Sequence, residues 1–318
     1  MTALRIAVLD DYQGVAAGVD WSAVPAPVDV HAFRHHIDDP DELAAALRPF
    51  DVVVAMRERT PLDAALFARL PDLRLVVTTG PRNAVIDVGA AAARGVVVSG
   101  TGGYVTPTSE LTWALILAVQ RHVPAEDAAI RAGGWQHTIG RELAGRTLGL
   151  VGLGRIGALV AEVGRAFRMD VVAWSQNLTD ERAAEVGVRR VAKDELFARS
   201  DVVSIHLVLS DRTRGLVGEA ELAAMKPTAI LVNTSRGPIV DEAALVRALH
   251  EGRIAGAGLD VFDREPLPAD HPLRSAPRTV LTPHIGYVTD GLYEQFFREI
   301  VEDVAAFAAG APIRVIEP

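Results

Sequence analysis

Three polar residues stand in short motifs of the second half of the chain: Arg236 in NTSRGPIVDEAAL, Glu265 in GLDVFDREPL and His284 in LTPHIGY. Each comes just after an apolar run typical of a buried strand, and open parallel sheets bind ligands at the carboxyl ends of their strands. An Arg can hold carboxylate or carbonyl oxygens through paired hydrogen bonds, and a His can exchange a proton with a hydroxyl group. A Glu bonded to the far ring nitrogen would fix the His tautomer and favour its protonated form. Together these residue types suit the oxidation of an alcohol next to a carboxylate, or the reverse reduction.

Each of these residues also has a simpler interpretation. An Arg after a strand is most often a surface charge, a Glu in DREP can be a turn residue, and a His after Pro can pack in a loop. Their joint placement after successive predicted strands favours the catalytic interpretation. The chain contains no Cys, which excludes thiolate catalysis, disulfides and thiolate metal sites, and we expect no metal.

A glycine-rich loop precedes these motifs in the segment LGLVGLGRIGALVAEVGRAF, with the spacing Gly152-x-Gly154-x-x-Gly157. The spacing alone is a weak signal, but here an apolar strand leads into it and an amphipathic helix leaves it. Such glycines let the backbone turn tightly and approach a pyrophosphate, and the helix N-terminus offers unpaired N–H groups. A strand-to-helix turn without a ligand is the alternative, and the full context favours a dinucleotide site.

The next predicted strand ends on Ser175, where dinucleotide-binding folds place the residue that contacts the adenosine ribose. A carboxylate there would bond both ribose hydroxyls and repel a 2′-phosphate, whereas Ser175, Gln176 and Asn177 can meet a bare ribose or a phosphate. No Arg occupies positions 176–178, and Arg155 in the glycine loop can reach the phosphates instead. The sequence therefore leaves both NAD(H) and NADP(H) open.

Short β-branched runs alternate with Ala-rich helical segments along the whole chain, which predicts parallel sheets covered by helices. The pattern breaks near residue 100 at SGTGGYVTP, and a helix is predicted over 107–124. The predicted strands before this break are 4–9, 28–33, 51–56 and 73–78.

A second alternating series follows the break, and a last helix is predicted over 291–310. Its predicted strands are 146–154, 169–175, 200–207, 228–234, 254–261 and 278–284. We interpret the chain as an α/β protein of two doubly wound parallel-sheet domains, Rossmann-like and flavodoxin-like. A dinucleotide-binding domain, 101–287, is inserted in a substrate domain formed by 1–100 and 288–318.

The composition is that of an ordinary globular protein, since 49% of the 318 residues are apolar and 23% are charged. The net charge of −9 disfavours general binding to nucleic acid or to acidic membranes. No apolar run approaches the ~20 residues of a membrane helix, and the start of the chain does not have the pattern of a signal peptide. We expect a cytoplasmic protein that has neither nucleic-acid nor membrane partners.

The motifs VGLGRIG, HLVLSDRTRGL, NTSRGPIVDEAAL, GLDVFDREPLP and LTPHIGY occur in one order and spacing. In this the chain resembles the D-isomer-specific 2-hydroxyacid dehydrogenase family. The match is dense over 146–287 and looser before it. Five ordered motifs are highly specific for the family, whereas the glycine loop alone would not be.

The resemblance implies that Arg236 binds the substrate, that His284 is the acid/base and that Glu265 is its partner. It also implies a substrate domain built from both chain ends and a homodimer formed through the inserted domain. The implied cofactor contacts are Gly152, Gly154, Arg155, Ile156, Gly157, Ser175, His206, Thr213, Thr234, Arg236, Asp260 and Gly286.

The substrate domain departs from the family in the loop TGPRNAVID, where many members carry a sequence like GVGVDNID. Gly80 is kept, but Pro81 removes a backbone N–H that in the family helps to hold the substrate carboxylate. We hypothesise that Arg82 or Asn83 compensates and suits the site to a more acidic or unusual substrate; alternatively, Arg82 points outward. Arg57, after a predicted strand end, is a further candidate substrate contact.

The leading interpretation is an oxidoreductase, classed with NAD(P)-dependent D-2-hydroxyacid dehydrogenases, that moves a hydride between a nicotinamide and a 2-hydroxy or 2-keto acid. The main alternative is a dinucleotide-sensing protein that recruits protein partners, which would need no Arg–Glu–His set. Formate oxidation in this fold uses Gln where this chain has Glu265, and phosphite oxidation stays open. The sequence does not identify the acid or the direction of the reaction.

Overall fold

The computed structural model describes residues 3–318 and divides the chain into two compact units. The first unit is Met1–Tyr104 with Thr289–Pro318, and the second is Val105–Val288. The first boundary thus falls four residues later than the sequence analysis placed it. The segment after the last strand of the first unit stays with that unit because the N–H of Gly102 donates to the carboxylate of Glu299, 2.5 Å away.

The first unit is built on a five-stranded sheet in which every pair of neighbours is parallel. Its strands are β1 (Leu4–Val8), β2 (Val28–Ala32), β3 (Val52–Ala55), β4 (Leu75–Thr78) and β5 (Val97–Gly100). They lie in the order β2-β1-β3-β4-β5. Successive strands are therefore added on one side of β1 up to β2 and on its other side from β3 onward, so the strand order reverses between β1 and β3. Helices α1 (Pro40–Leu47), α2 (Ala64–Phe67) and α3 (Val88–Ala93) connect them. The strands β3 and β4 are buried at every residue, as expected for a parallel sheet covered on both faces.

The second unit contains a seven-stranded parallel sheet. Its strands are β6 (Thr147–Val151), β7 (Asp170–Trp174), β8 (Arg189–Arg190), β9 (Val202–Ile205), β10 (Ile230–Asn233), β11 (Gly256–Leu259) and β12 (Thr279–Leu281). The order is β12-β11-β10-β9-β6-β7-β8, which reverses between β6 and β9. This is the Rossmann arrangement, in which ligands bind outside the carboxyl ends of the strands at the reversal.

Apart from α5, which buries none of its residues, the helices of the second unit pack on this sheet around two apolar cores. They are α4 (Thr106–Gln120), α5 (Val123–Arg131), α6 (Arg155–Ala166), α7 (Asp180–Glu185), α8 (Lys193–Arg199), α9 (Glu219–Ala224) and α10 (Glu242–His250). The single helix predicted over 107–124 is wrong at its end. His122 adopts a left-handed conformation with φ 55°, which ends α4 and starts α5, and Pro124 takes a first-turn position where its missing N–H costs nothing.

The last helix, α11 (Asp290–Ala308), returns to the first unit and packs against β4. The tail after it lies beside the edge strand β5, where Val315 forms an antiparallel bridge with Ser99. The N–H of Gly100 donates to the carbonyl of Arg314, and the N–H of Ile316 donates to the carbonyl of Val98. The tail therefore covers an edge that would otherwise expose unpaired backbone groups.

Two strands were missed in the sequence. The stretch around β5 was interpreted only as a break because Gly100 and the glycines after it dominate the composition. The two-residue strand β8 lies at the sheet edge with both arginines exposed, so it carries no apolar pattern. Within the described chain, no helix combines the length and apolarity that crossing a bilayer requires.

Candidate active site

The three candidate catalytic residues follow three neighbouring strands of the second sheet. Arg236 lies just after β10, Glu265 after β11 and His284 after β12, and these strands are adjacent and parallel. Parallel strands end at the same sheet edge, so the fold brings the three motifs to one side of the unit.

His284 and Glu265 form a direct contact. Nδ1 of the imidazole lies 2.6 Å from Oε2 of Glu265. The other carboxylate oxygen, Oε1, accepts the backbone N–H of Phe262 at 2.9 Å. The carboxylate is thus fixed from both sides, which assigns the ring hydrogen to Nδ1 and leaves Nε2 available for proton exchange.

The loop that carries His284 is held by the fully buried Asp260. Oδ1 of Asp260 accepts the Thr282 hydroxyl at 2.6 Å and the N–H of Ile285 at 2.8 Å, and Oδ2 accepts the N–H of Gly286 at 2.8 Å. Burial raises the pKa of Asp260, while these hydrogen bonds and the nearby His284 oppose that rise. Asp260 and Gly286 are predicted cofactor contacts; what the structure shows is that both shape the turn that carries His284.

Arg236 precedes a short 3₁₀ helix, Gly237–Ile239, and its Nη1 donates to the carbonyl of Ser235 at 2.7 Å. A Cβ on Gly237 would collide with the backbone of Phe262, in the loop that leads to Glu265. The glycine after Arg236 therefore allows two motif loops to pack directly on each other. Nearby, the buried Thr234 hydroxyl lies 2.8 Å from that of Thr112 on α4.

The glycine loop lies between β6 and α6, at the reversal of the sheet. A Cβ on Gly152, where φ is +105°, would collide with the carbonyl of His206 after β9, and one on Gly157 would collide with the carbonyl of Gly152. At Gly154, the N-cap of α6, a Cβ would meet no protein atom within 4 Å. Two glycines are thus required by the chain itself, and the third leaves space that a phosphate can fill.

The first turn of α6 adds to this fit. No side chain caps the helix and no acidic residue lies in its first turn, where Arg155 and Ile156 are the first two residues. Unpaired N–H groups at a twelve-residue helix, next to an empty glycine cradle, suit a pyrophosphate. The residues present therefore fit a dinucleotide.

His206 lies beneath the glycine loop with its ring buried. Nε2 is 2.9 Å from the Ser204 hydroxyl, and Nδ1 has no hydrogen-bond partner among residues 3–318. Burial lowers the pKa of His206 to about 3, so the ring is neutral at physiological pH. Thr213, also assigned to the cofactor groove, uses its hydroxyl within its own turn, donating to the carbonyl of Val208 at 2.8 Å.

At the end of β7, Ser175 begins a turn in which its carbonyl accepts the N–H of Leu178. The preceding Trp174 packs against the apolar core, and Nζ of Lys193 lies 5.9 Å from its ring centroid. Lys193 is held at the same time by Glu221, 2.8 Å away. A lysine therefore lies near Trp174, the residue before the predicted ribose position, and the residues around Ser175 do not indicate it because Lys193 is distant in the sequence.

In the first unit, Arg57 and Gly80 lie together at the carboxyl edge of the sheet. Arg57 follows β3 in a left-handed conformation with φ 53°, and its Nη1 donates to the carbonyl of Thr79 at 3.1 Å. A Cβ on Gly80 would collide with that same Nη1. Gly80 is therefore the residue that lets the Arg57 side chain lie across the loop after β4.

The two residues after Pro81 are placed differently from each other. Arg82 is exposed, whereas Asn83 is buried and its amide nitrogen donates to the carbonyl of Arg57 at 2.6 Å and to the hydroxyl of Thr78 at 2.9 Å. Its amide oxygen accepts the N–H of Val85. Asn83 thus holds the loop to Arg57, and of the two candidates only Arg82 is exposed and accessible to a ligand.

Sequence reasoning missed a polar cluster between β1 and β3, at the reversal of the first sheet. The buried carboxylate of Asp10 accepts the Thr60 hydroxyl at 2.6 Å and lies 3.0 Å from Nδ1 of His36. The hydrogen bond to Asp10 raises the pKa of His36. Asp10 follows an apolar strand directly, and that position was the available signal. Within the described part of the chain, no group of three or more His, Asp or Glu side chains is arranged to hold a metal ion.

A Rossmann sheet with an open glycine cradle and a Glu–His pair at its carboxyl edge defines a dinucleotide-binding α/β protein with acid/base groups. A sequence model described as "D-isomer specific 2-hydroxyacid dehydrogenase, NAD binding domain" matches residues 113–286. Glyoxylate reductase of Aeropyrum pernix is 44% identical over 259 residues, which are 78% of this chain and 77% of that protein.

Two further proteins are similar over most of the chain. D-3-phosphoglycerate dehydrogenase of Archaeoglobus fulgidus is 38% identical over 277 residues, which are 86% of this chain and 52% of that protein. The crystal structure of phosphoglycerate oxidoreductase from Vibrio cholerae superposes with a TM-score of 0.92 at 40% identity, covering 97% of this chain and 100% of that chain. The chain belongs to the D-isomer specific 2-hydroxyacid dehydrogenase family, and its second unit binds a nicotinamide cofactor.

Proposed function

We propose that this protein transfers a hydride between a nicotinamide cofactor and C2 of a D-2-hydroxy or 2-keto acid. The observation that carries the proposal is the 2.6 Å contact between His284 and Glu265, in a unit whose glycine cradle fits a dinucleotide. Family membership supports the reaction class.

His284 is the acid/base of the proposed reaction. With Nδ1–H held by Glu265, Nε2 can take the hydroxyl proton during oxidation and return it during reduction. A carboxylate beside the ring stabilises the imidazolium that forms when the proton arrives, without itself taking the proton. The bound nicotinamide supplies or accepts the hydride.

Arg236 is the proposed substrate-binding residue of the second unit. Its guanidinium can hold carboxylate and carbonyl oxygens in a fixed geometry through two parallel hydrogen bonds. Because Gly237 packs on the loop of Glu265, the fold fixes the spacing between the loops that carry Arg236 and Glu265. Orientation of this kind places the hydroxyl or carbonyl group relative to the acid/base, which is a large part of enzymatic rate enhancement.

In the first unit we propose Arg57 and Arg82 as substrate contacts, with Gly80 making room for the side chain of Arg57. The Gly80 N–H donates to the Thr101 hydroxyl at 2.8 Å, and Pro81 has no N–H, so this loop offers fewer backbone donors than the family pattern. The cationic side chains of Arg57 and Arg82 can take over that role. Two guanidinium groups favour a 2-keto acid with a second negative charge.

For the cofactor we propose that both NAD(H) and NADP(H) are accepted. Ser175 neither repels a 2′-phosphate nor offers the two acceptors by which a carboxylate selects a bare ribose. Lys193 provides a cation near the end of β7, although Glu221 already neutralises part of its charge.

The experiment that tests the proposed function is a matrix of NADH and NADPH against about a dozen 2-keto acids, including glyoxylate, hydroxypyruvate and phenylpyruvate. We expect reduction with at least one pair, at the highest kcat/KM for an acid with an anionic side group. Oxidation of the matching D-hydroxy acid, and not of the L-isomer, completes the assignment.

A dinucleotide-sensing protein would behave differently in the same matrix. It would bind NADH, as seen by quenching of its tryptophan fluorescence, but it would consume none with any 2-keto acid. That result would contradict the proposed enzyme while leaving the cofactor site intact.

A further inference from the structure

A second Glu–His pair lies in the same unit, outside the residues assigned above. Nε2 of His271 is 2.8 Å from Oε1 of Glu242, and the two side chains are only 20% and 18% exposed. Glu242 is the first residue of α10, and His271 precedes the 3₁₀ helix Pro272–Ser275. Glu242 lies in the motif NTSRGPIVDEAAL and His271 follows GLDVFDREPLP by three residues, and neither received a role in the sequence analysis.

The hydrogen positions of this pair follow from its second contact. Nδ1 of His271 accepts the backbone N–H of Leu273 at 3.2 Å, so it carries no proton. The ring hydrogen is therefore on Nε2 and is donated to Glu242. This tautomer is the opposite of that of His284, which donates from Nδ1. The two imidazoles have different tasks, and His271 acts as a fixed hydrogen-bond donor.

Glu242 connects this donor to the loop that carries Glu265. Its other oxygen, Oε2, accepts the backbone N–H of Asp263 at 3.3 Å. The residue before Asp263 is Phe262, whose N–H donates to Glu265. One carboxylate on α10 therefore ties together the turn of His271 and the loop that fixes the partner of His284.

The base of this connection is rigid. Asp241 is the N-cap of α10, and its Oδ1 accepts the N–H of Ala244 at 2.9 Å. The first turn of a helix also favours a negative side chain such as Glu242, because unpaired N–H groups give it partial positive charge. Glu242 is thus held by the helix on one side and by His271 on the other.

The charges around Asp263 explain why the donor matters. Burial raises the pKa of Asp263, and the neighbouring Glu242 and Asp241 raise it further, while the charge of Arg214 opposes the rise. Three carboxylates therefore face one guanidinium and one imidazole. Without the His271 N–H, Glu242 loses this donor while its carboxylate still lies beside that of Asp263, and we expect the loop between Phe262 and Glu265 to be held less firmly against α10.

We propose that Glu242 and His271 are positioning residues that set the location of Glu265 and, through it, the orientation of the His284 ring. This proposal rests on the proposed function, in which His284 transfers the proton. Neither Glu242 nor His271 touches substrate in this assignment. Their effect is on the rate of the chemical step and on its pH dependence.

The test compares His271→Ala with His271→Gln in the full-length protein. Removing the donor is expected to lower kcat for the best 2-keto acid about tenfold, because the imidazolium of His284 loses part of its partner. The pH at which reduction falls to half its maximum moves to lower values for the same reason. KM for the keto acid and Kd for the dinucleotide stay within about twofold, since Arg236 and the glycine loop keep their own contacts. The amide nitrogen of Gln replaces Nε2, so His271→Gln recovers part of the rate.

Arg247→Ala is the matched control. Arg247 lies on the same helix α10, 3.5 Å from Glu219, and is exposed. This variant is expected to leave kcat and the pH profile unchanged. The double variant His271→Ala/Glu265→Gln should be no slower than Glu265→Gln alone, because the two changes act through one contact.

Equal pH profiles for His271→Ala and Arg247→Ala, or a loss of rate that appears only as weaker dinucleotide binding, would overturn the positioning role. A failure of the proposed function is seen separately, as a wild-type protein that reduces no 2-keto acid. In that case the ring-nitrogen NMR signals of His284 decide the matter. The Nδ1–H tautomer should be present in the wild type and lost or averaged in His271→Ala, and an unchanged spectrum would refute the coupling.

Discussion

At the scale of single residues, the candidate site depends on backbone conformations that side chains rarely adopt. His284 has φ 54° and Arg57 has φ 53°, both in the left-handed region. Non-glycine residues in that region carry strain that the surrounding contacts must offset, and such residues cluster at functional sites. At His284 the offsetting contacts are the three hydrogen bonds that Asp260 accepts from the same turn.

The proposed contact of Arg82 with a second negative charge of the substrate can be measured directly. We expect Arg82→Ala to lower kcat/KM about tenfold for a 2-keto acid with a second carboxylate or a phosphate, because one charge-assisted contact is removed. Substrates without the second charge should change little. Arg94→Ala, another exposed arginine of the first unit at the end of α3, serves as the control. If Arg82→Ala and the wild type had equal kcat/KM for every accepted substrate, Arg82 would not contact the substrate.

At the scale of elements, the start of α6 separates what the fold needs from what the cofactor needs. Gly154→Ala adds a methyl group where no protein atom lies within 4 Å, so the thermal midpoint should change little. The same methyl group occupies the cradle, and the Kd for NADH should rise about tenfold or more, equivalent to about 1.4 kcal/mol. Tryptophan quenching and a melting curve measure both quantities on one sample.

At the same helix, Gly157→Ala is expected to lower stability, which Gly154→Ala should leave almost unchanged. Its Cβ would collide with the carbonyl of Gly152, and the variant should lose about 2 kcal/mol of stability because a well-packed turn has to move. If Gly154→Ala destabilised the protein as much as Gly157→Ala and bound NADH normally, the cradle would not be the phosphate site.

The contact between α11 and the tail has its own pH dependence. Asp303 is 1% exposed; Oδ1 accepts Nε of Arg314 at 2.9 Å, while Oδ2 is buried with no hydrogen-bond partner in the part of the chain described. Burial raises the pKa of Asp303 to about 6, although Arg314 opposes the rise. Burial alone would lower the pKa of Arg314. The hydrogen bond to Glu302 and the negative charge of Asp303 outweigh this effect, so the pKa of Arg314 is raised. The orphaned Oδ2 shows that pairing with Arg314 does not fully offset the burial of Asp303.

A carboxyl group whose pKa is higher in the folded state weakens the fold as it ionises. The unfolded chain releases this proton near pH 4 and the folded protein near pH 6, so stability should fall between these values by up to about 3 kcal/mol. Asp303→Asn should remove this part of the decline. Melting temperatures of both proteins from pH 4 to 7 test it, and parallel curves would show that Asp303 ionises normally.

The candidate residues show which parts of the structure could be predicted from the sequence. The placement of Arg236, Glu265 and His284 at one sheet edge was predictable because ordered motifs follow apolar strands, and the ends of parallel strands meet at one edge. The contacts that Asp260, Glu242 and His271 make were not predictable, because they depend on which side chains meet across loops distant in the chain. Likewise, the end of α4 was missed because the apolar pattern continues past His122, whose left-handed backbone leaves no mark in the composition.

At the scale of the whole molecule, several apolar side chains on and just after helix α5 of the second unit are exposed. Helix α5 buries none of its residues, and the segment after it exposes Trp135 by 73% and Ile139 by 94%. Exposed patches of this kind are typical of protein interfaces. We propose that a second copy of the chain covers this surface, in agreement with the homodimer that the family resemblance implies.

The variant Trp135→Ser/Ile139→Asp tests this assembly. We expect the wild type to have twice the chain mass in sedimentation equilibrium and the variant to be a monomer, because a buried aspartate without a partner strongly opposes association. Val208→Ser removes another exposed apolar side chain, outside this surface, and should remain a dimer. A wild type that sediments as a single chain of 33.9 kDa at micromolar concentration would contradict the proposal.

The packing of Gly237 against Phe262 limits how the substrate range can be redesigned. Because the loop after Arg236, the proposed substrate anchor, and the loop that leads to Glu265 lie backbone to backbone, we expect that neither can be remodelled without disturbing the other. A change that shifts Arg236 is therefore expected to shift Glu265, the proposed partner of His284, as well. New substrates are therefore better sought by varying the exposed residues Pro81 and Arg82, because such changes leave the loops of Arg236 and Glu265 in place.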